Sequence, residues 1–208
     1  MTSTAGAPLG PHSLVAELER ARHLGFLGPG PVEDHIRHAA GFLAALESVS
    51  GTVIDLGSGG GVPGLVVGLA RPDLRLVLVE ATAKRCRFLE SACHRLALPA
   101  EVIEARAEHL GRGARRGTAD AVIARSFGTP GVTVECGAPL LRVGGCLVVS
   151  EPPEPAPERW PTAPLAALGL EIDPRPRTSP AVQVLRQLRL CPDRYPRRVG
   201  VPAKRPLF

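Results

Sequence analysis

Apolar positions along the chain follow a helical spacing before residue 51 and an alternation of short runs and helical segments after it. Leu14, Leu18 and Ala21 recur at helical intervals behind Ser13, and Ile36, Ala40, Leu43 and Leu46 do so after the breaker Gly28-Pro29-Gly30-Pro31. This spacing predicts one helix capped at Ser13, with Glu17 and Glu19 favouring its early turns, and a second over residues 32–46. From Thr52 onward apolar runs predict strands at 52–56, 74–79, 102–104, 119–124 and 146–149. Helices are expected from Pro63, over 83–96 and over 132–141, where proline suits a first helical turn. Strand and helix in alternation imply parallel βαβ units with right-handed crossovers. Runs at 168–172 and 182–190 supply two last strands, so the expected fold is α/β, a seven-stranded mixed sheet with a short N-terminal helical extension.

This pattern divides the chain into residues 1–12, small, polar and expected to be disordered, a helical extension at 13–50, and a main domain at 51–208. A chain of 208 residues, 44% hydrophobic, suits one domain with a modest appendage. Pro152, Pro153, Pro155, Pro157, Pro161 and Pro164 crowd the stretch after the fifth strand, which is expected to be a stiff loop over the sheet.

Charge and cysteine content narrow the function. The net charge is +5. In the last twenty positions Arg189, Arg194, Arg197, Arg198, Lys204 and Arg205 face a single acid, Asp193, so the tail is a candidate phosphate contact or a solvated terminus. The five cysteines lie at neither C-x-x-C nor zinc spacing, and their odd number argues against a closed disulfide set. Reduced thiols, no metal and a cytoplasmic location are the expectation, since no targeting pattern or spanning apolar run is present.

The densest chemical signal is T-V-I-D-L-G-S-G-G-G-V-P-G at 52–64, an apolar strand running into a glycine loop and then a helix. Glycine there lets main-chain N–H groups approach a ligand closely. Gly59, Gly61 and Gly64 satisfy the dinucleotide pattern G-x-G-x-x-G, with Glu80 where a ribose-binding acid belongs. Asp55 favours a different ligand, S-adenosylmethionine, because an anion at the strand tip repels a pyrophosphate and attracts an ammonium or sulfonium. Ligands of open parallel sheets bind beyond the carboxyl ends of the strands. That rule gathers Gly57, Gly59 and Val62 after the first strand, Glu80 after the second, Ala107 and Glu108 after the third, and Arg125 after the fourth. A carboxylate such as Glu80 can accept from both ribose hydroxyls. Arg125, an obligate cation, can orient substrate or pair with Glu80, Glu108 or Glu151.

The segments D-L-G-S-G-G-G-V-P-G (55–64), V-E-A-T-A-K-R-C-R-F-L (79–89), A-R-A-E (105–108), A-R-S-F (124–127) and R-Y-P-R-R-V-G-V-P-A-K-R-P-L (194–207) resemble the glucose-inhibited division protein B family. The resemblance runs through about residues 51–149 and returns at the tail. It implies a class I, Rossmann-like methyltransferase fold and transfer of a methyl group from S-adenosylmethionine to N7 of a guanine in 16S ribosomal RNA. It places cofactor contacts on Gly57, Val62, Ala107, Glu108 and Arg125. The chain departs from the family pattern in lacking the N-L-T segment, in echoing H-x-x-D-S only as His35-Ile36-Arg37-His38-Ala39, and in carrying Glu151-Pro152 where the family has Lys-Gly. A glutamate there repels phosphate.

Guanine N7 carries an in-plane lone pair, so no proton must leave before methyl transfer, and alignment with exclusion of water supplies the rate. Arg125 is accordingly the expected catalytic, substrate-positioning residue, acting on a splayed or flipped guanine. Arg194, Arg197, Arg198, Lys204 and Arg205 are the expected RNA contacts, with 16S rRNA or the small ribosomal subunit as partner. Two alternatives remain open at this level: a methyltransferase acting on another RNA position or a small molecule, and a non-catalytic RNA-binding protein.

Overall fold

The computed structural model describes residues 11–152, 154, 157–174 and 180–208. The disorder expected for the N-terminus falls largely on residues 1–10, outside the described residues. The first helix, α1 (Pro11–His23), starts two residues before Ser13, which lies inside its first turn rather than at the N-cap position. Proline tolerates that first turn because its missing N–H would have no intrahelical partner there. α2 (Val32–Ala45) follows the Gly-Pro breaker, with Pro31 at its N-cap.

The sheet then alternates with helices as β1 (Thr52–Leu56), α3 (Gly64–Ala70), β2 (Arg75–Glu80), α4 (Ala83–Arg95), β3 (Ala100–Glu104), α5 (Ala107–Leu110), β4 (Ala119–Ala124), α6 (Pro130–Gly137) and β5 (Leu141–Ser150). After α7 (Thr162–Ala167) come β6 (Leu170–Ile172), β7 (Val182–Gln187) and a terminal turn of helix, α8 (Val201–Lys204). Seven strands lie in the order β3-β2-β1-β4-β5-β7-β6. β1 to β5 pair in parallel, and β7 runs antiparallel between β5 and β6. The sheet is therefore mixed and seven-stranded, as expected, with α1 and α2 preceding it.

Element ends shift for local reasons. The last strand stops at Gln187, whose side-chain amide donates to the carbonyls of Leu168 and Arg189 and turns the chain away from the ladder. Pro164, expected in loop, sits in the first turn of α7, where no N–H is needed. Pro153 and Pro155 lie outside the described residues.

Strand alternation splits the core in two. Val53, Leu76, Leu78, Ala121 and Ile123 face α1 to α4 on one side. Ile54, Leu56, Val77, Val79, Val122 and Ala124 face α6, α7 and the C-terminal tail on the other. The period of two that makes this split also fixes the direction of every polar residue among them. Among the described residues no helix is long and apolar enough to cross a membrane. All five cysteines are buried and outside any disulfide, and burial raises Cys86, Cys93 and Cys191 to about 11.

Candidate functional site

The strand ends of β1, β2, β3 and β4 open into two adjoining cavities and a third beside them. The first, about 260 Å³, is lined by Gly57, Glu80, Ala107 and Glu108 among others, with Val132 and Cys136 of α6 forming an apolar wall. The second, about 240 Å³, lies under Phe26 and Leu27 and contains Gly57, Gly59, Val62 and Arg125. Gly57, Arg85 and Ser126 line both, so the two form one elongated trough across the glycine loop. The third, about 350 Å³, lies beyond Arg125 and Ser126 and is bounded by His38, Thr133, Ser150, Glu151 and Arg159.

The glycine loop is pinned to the neighbouring strand. Gly57 and Ser58 N–H both donate to Val79 O, at 2.8 and 3.0 Å. Gly57 has φ +70°, and a Cβ on it would lie 2.7 Å from the Phe127 ring, so only glycine leaves the trough open there. Glu80 holds the loop from the other side: Oε2 accepts from Gly59 N–H at 3.2 Å and Oε1 from Thr82 N–H at 2.9 Å. Glu80 thus both orders the loop and leads into α4.

Asp55, expected at the ligand, does not line any of the three cavities. It occupies the β1 position whose side chain points under α3, and its Oδ2 accepts the Gly64 N–H at 3.1 Å while Oδ1 is buried without a partner. A main-chain N–H at the start of α3, the helix after the glycine loop, is therefore already taken by a carboxylate of the protein.

Burial raises the Asp55 carboxyl from its ordinary value to about 7, against the lowering effect of the nearby Ser58 hydroxyl and the Gly64 N–H. A raised folded-state value means that the folded chain binds more protons than the unfolded one between the ordinary carboxylate range and pH 7. Stability from this group is full below that window and lost as pH rises through it. Asp55→Asn keeps an acceptor for Gly64 and removes the titration. Its stability relative to the parent is expected to be greater at pH 8 than at pH 5, by a few kcal/mol on the order-of-magnitude scale of such shifts. Urea melts at the two pH values check this, and an equal offset at both contradicts it.

Arg125 leaves β4 into a strained corner, since the next residue, Ser126, has φ +54° without being glycine. Its Nη2 donates to His35 Nδ1 at 2.5 Å, so it is not held by the carboxylates of Glu80 or Glu108. Because an arginine only donates, Nδ1 must accept, and the ring proton sits on Nε2, which donates to Gly28 O at 3.2 Å. Burial first, and then the Arg125 charge, lower the His35 and His38 values and keep both rings neutral near pH 7. Arg125 Nη1 is buried without a partner. A charged donor in that state, on the wall shared by two cavities, fits a ligand acceptor. The sequence supplied no sign of His35 beyond its place in a loose motif, because the contact joins α2 to β4 across ninety residues.

Glu108 lines the first cavity, and its Oε1 also accepts the Gly200 N–H of the tail at 2.9 Å. The tail is not a free basic arm. Arg197 donates through its main-chain N–H and Nε to Oε1 of the fully buried Glu135, both at 2.8 Å, and through Nη2 to Oε2 at 2.6 Å. Arg116 donates to the carbonyls of Gly111, Tyr195 and Cys191, and Ala203 reaches the first cavity. Arg197, expected as an RNA contact, anchors the tail to Glu135 through a side chain that is 29% exposed. Arg194, stacked on Tyr195, and Arg198, Lys204 and Arg205 remain exposed. Among the described residues no group of three or more His, Cys, Asp or Glu is placed to hold a metal ion.

Comparison with known proteins bears on this geometry. The family model described as GidB, rRNA small subunit methyltransferase G, matches residues 31–153. The ribosomal RNA small subunit methyltransferase G of Rubrobacter xylanophilus is 37% identical over 93% of this chain and 80% of its own length. That of Syntrophomonas wolfei is 33% identical over 86% of this chain and 87% of its own. Among solved structures, the antibiotic-resistance methyltransferase Kmr aligns with TM-score 0.54 at 19% identity, covering 73% of this chain and 93% of its own. An S-adenosylmethionine-dependent O-methyltransferase of Thermotoga maritima aligns with TM-score 0.53 at 15% identity, covering 83% and 71%. These two likenesses concern the fold alone, a class I methyltransferase sheet.

Proposed function

The chain belongs to the GidB family of rRNA small subunit methyltransferase G, and from that premise and the geometry of the trough we propose that it transfers a methyl group from S-adenosylmethionine to N7 of a guanine in 16S ribosomal RNA. The observation that carries the proposal is the buried, unpartnered Nη1 of Arg125 between the trough and the third cavity.

The residues present fit the donor. Gly57 keeps the trough open, Glu80 offers carboxylate oxygens at the ribose position, and Ala107, Glu108, Val132 and Cys136 bound a slot for the adenine with an apolar wall on α6. Gly59 and Val62 line the part of the trough nearest Arg125, which suits the methionine end. When bound, S-adenosylmethionine supplies an electrophilic methyl group on a cationic sulfur.

The rest of the chemistry belongs to this chain. Guanine N7 needs no base to deprotonate it, so the task is to hold the base in the third cavity with its lone pair aimed across Ser126. Arg125, fixed by His35 on one nitrogen, offers the other to an acceptor of the base, and the neighbouring O6 is the acceptor guanine presents. Phe127, shared by the first and third cavities, separates the adenine slot from the base and excludes water. Arg194, Arg198, Lys204 and Arg205 contact RNA phosphates, giving binding that weakens steeply with salt.

Purified protein with labelled donor and undermodified small-subunit RNA is expected to incorporate label into the RNA. Donor binding with no incorporation into any RNA contradicts the proposal and moves it toward a small-molecule substrate.

A further inference from the structure

Glu151, at the end of β5, is the residue whose chemistry the foregoing leaves unused. It is only 6% exposed and lines the third cavity together with Arg125, yet it does not reach the trough. Arg159 lies 3.3 Å from its Oε1 and holds the carboxylate in place. An ionised carboxylate accepts at roughly four lone-pair positions, so pairing with an arginine is compatible with accepting from a base edge.

A cavity lined by Arg125 and by a carboxylate, Glu151, already paired with Arg159, has a definite chemical preference. A phosphate can use the arginines only, whereas a nucleobase that offers both an acceptor and adjacent donors uses Arg125 and Glu151 together. Guanine offers O6 beside N1–H and the N2 amino group. Adenine offers the reverse, an amino group where Arg125 also donates and a lone pair at N1 where Glu151 also accepts. Cytosine and uracil have no N7.

We propose that Glu151 selects guanine for methylation by accepting from N1–H and the N2 amino group while Arg125 donates to O6. The inference rests on the guanine-N7 reading and adds to it the residue that distinguishes the base. In the transfer, the N7 lone pair forms the bond to the methyl carbon as the carbon–sulfur bond breaks with its electron pair left on sulfur. Positive charge passes from the sulfur to the base, and no proton moves. The base becomes cationic and its N1–H a stronger donor, so the contact with Glu151 tightens as the methyl group arrives. Such a contact raises turnover and not binding alone.

The test uses the intact protein and a ligated small-subunit transcript carrying a single inosine, which lacks the N2 amino group, in place of the methylated guanine. The parent protein is expected to lose tenfold or more in kcat/KM on inosine, the usual scale for one lost base-edge contact. Glu151→Gln is expected to lose on the order of tenfold on guanine, chiefly in kcat, and to show a much smaller further loss on inosine. Donor affinity by calorimetry, unchanged in the variant, shows that the trough is intact. An inosine penalty of equal size in parent and variant, or none in the parent, overturns the inference while guanine methylation stands. If Glu151→Gln fails to bind donor, the parent protein's ratio of inosine to guanine decides alone, and a ratio near one overturns the inference. Absence of 7-methylguanosine from the parent reaction contradicts the underlying reading and this inference together.

Discussion

Arg125→Ala is expected to lower single-turnover methyl transfer by about 100-fold or more, the scale on which a misaligned reacting atom or a lost preorganised donor is felt. The guanidinium is positioned for this role by two features that the sequence places far apart. Its Nη2 is committed to His35 on α2, and its Nη1 is buried, charged and without a protein partner. Burial lowers the Arg125 value, yet an arginine so shifted is still a cation at neutral pH. Arg125→Lys keeps the charge and loses the fork, so it cannot hold His35 and a base together, and it is expected to recover less than tenfold of the loss. A single-turnover assay at saturating donor reads both variants. Rates within threefold of the parent for alanine would remove Arg125 from the site.

Arg197→Ala carries the largest expected effect on stability. Glu135 has no solvent exposure, and Arg197 supplies three donors to it. Removing one partner of a buried pair leaves an uncompensated charge, which costs about 3 kcal/mol at the lower end of the usual range. The lower end applies because the Arg197 side chain is 29% exposed and solvent screens part of its charge. For a chain of this size the melting temperature is expected to fall by roughly 10 °C. The consequence reaches the trough. With the anchor gone, the tail no longer presents the Gly200 N–H to Glu108 or Ala203 to the first cavity, so donor affinity falls as well. Thermal melts with and without donor measure both effects. A melting point within 2 °C of the parent, or unchanged donor affinity, contradicts the role assigned to the tail.

The same tail shows where sequence and structure part. Its charge was legible as a count, but which cations face solvent depends on Glu135, an acid on α6 whose burial no local pattern announces. Arg116 is similar: it sits between β3 and β4, and only tertiary structure brings three carbonyls around it. Asp55 was legible as an anion near the glycine loop, and its direction was decided by the two-residue period of β1 and the packing of α3 against it. β4 at Ala119–Ala124 and the glycine loop were legible to the residue, because a continuous buried strand and a dense run of glycines are local signals. From these the rule that ligands lie beyond strand ends placed Gly57, Glu80, Ala107, Glu108 and Arg125 around one crevice, where the structure also has them. Glu151 needed the third cavity to be seen: along the chain it reads as a reversed charge on the substrate side, and in space it lines the same cavity as Arg125.

The modified atom distinguishes this activity from any other methyl transfer to RNA. Small-subunit RNA from a strain lacking this protein, incubated with the purified protein and donor and then digested to nucleosides, is to be resolved by mass spectrometry against authentic methylguanosine isomers. The expected product is 7-methylguanosine, rising to one per RNA molecule and absent without protein; a different methylated nucleoside, or none while donor binds, would rule out guanine N7 as the target.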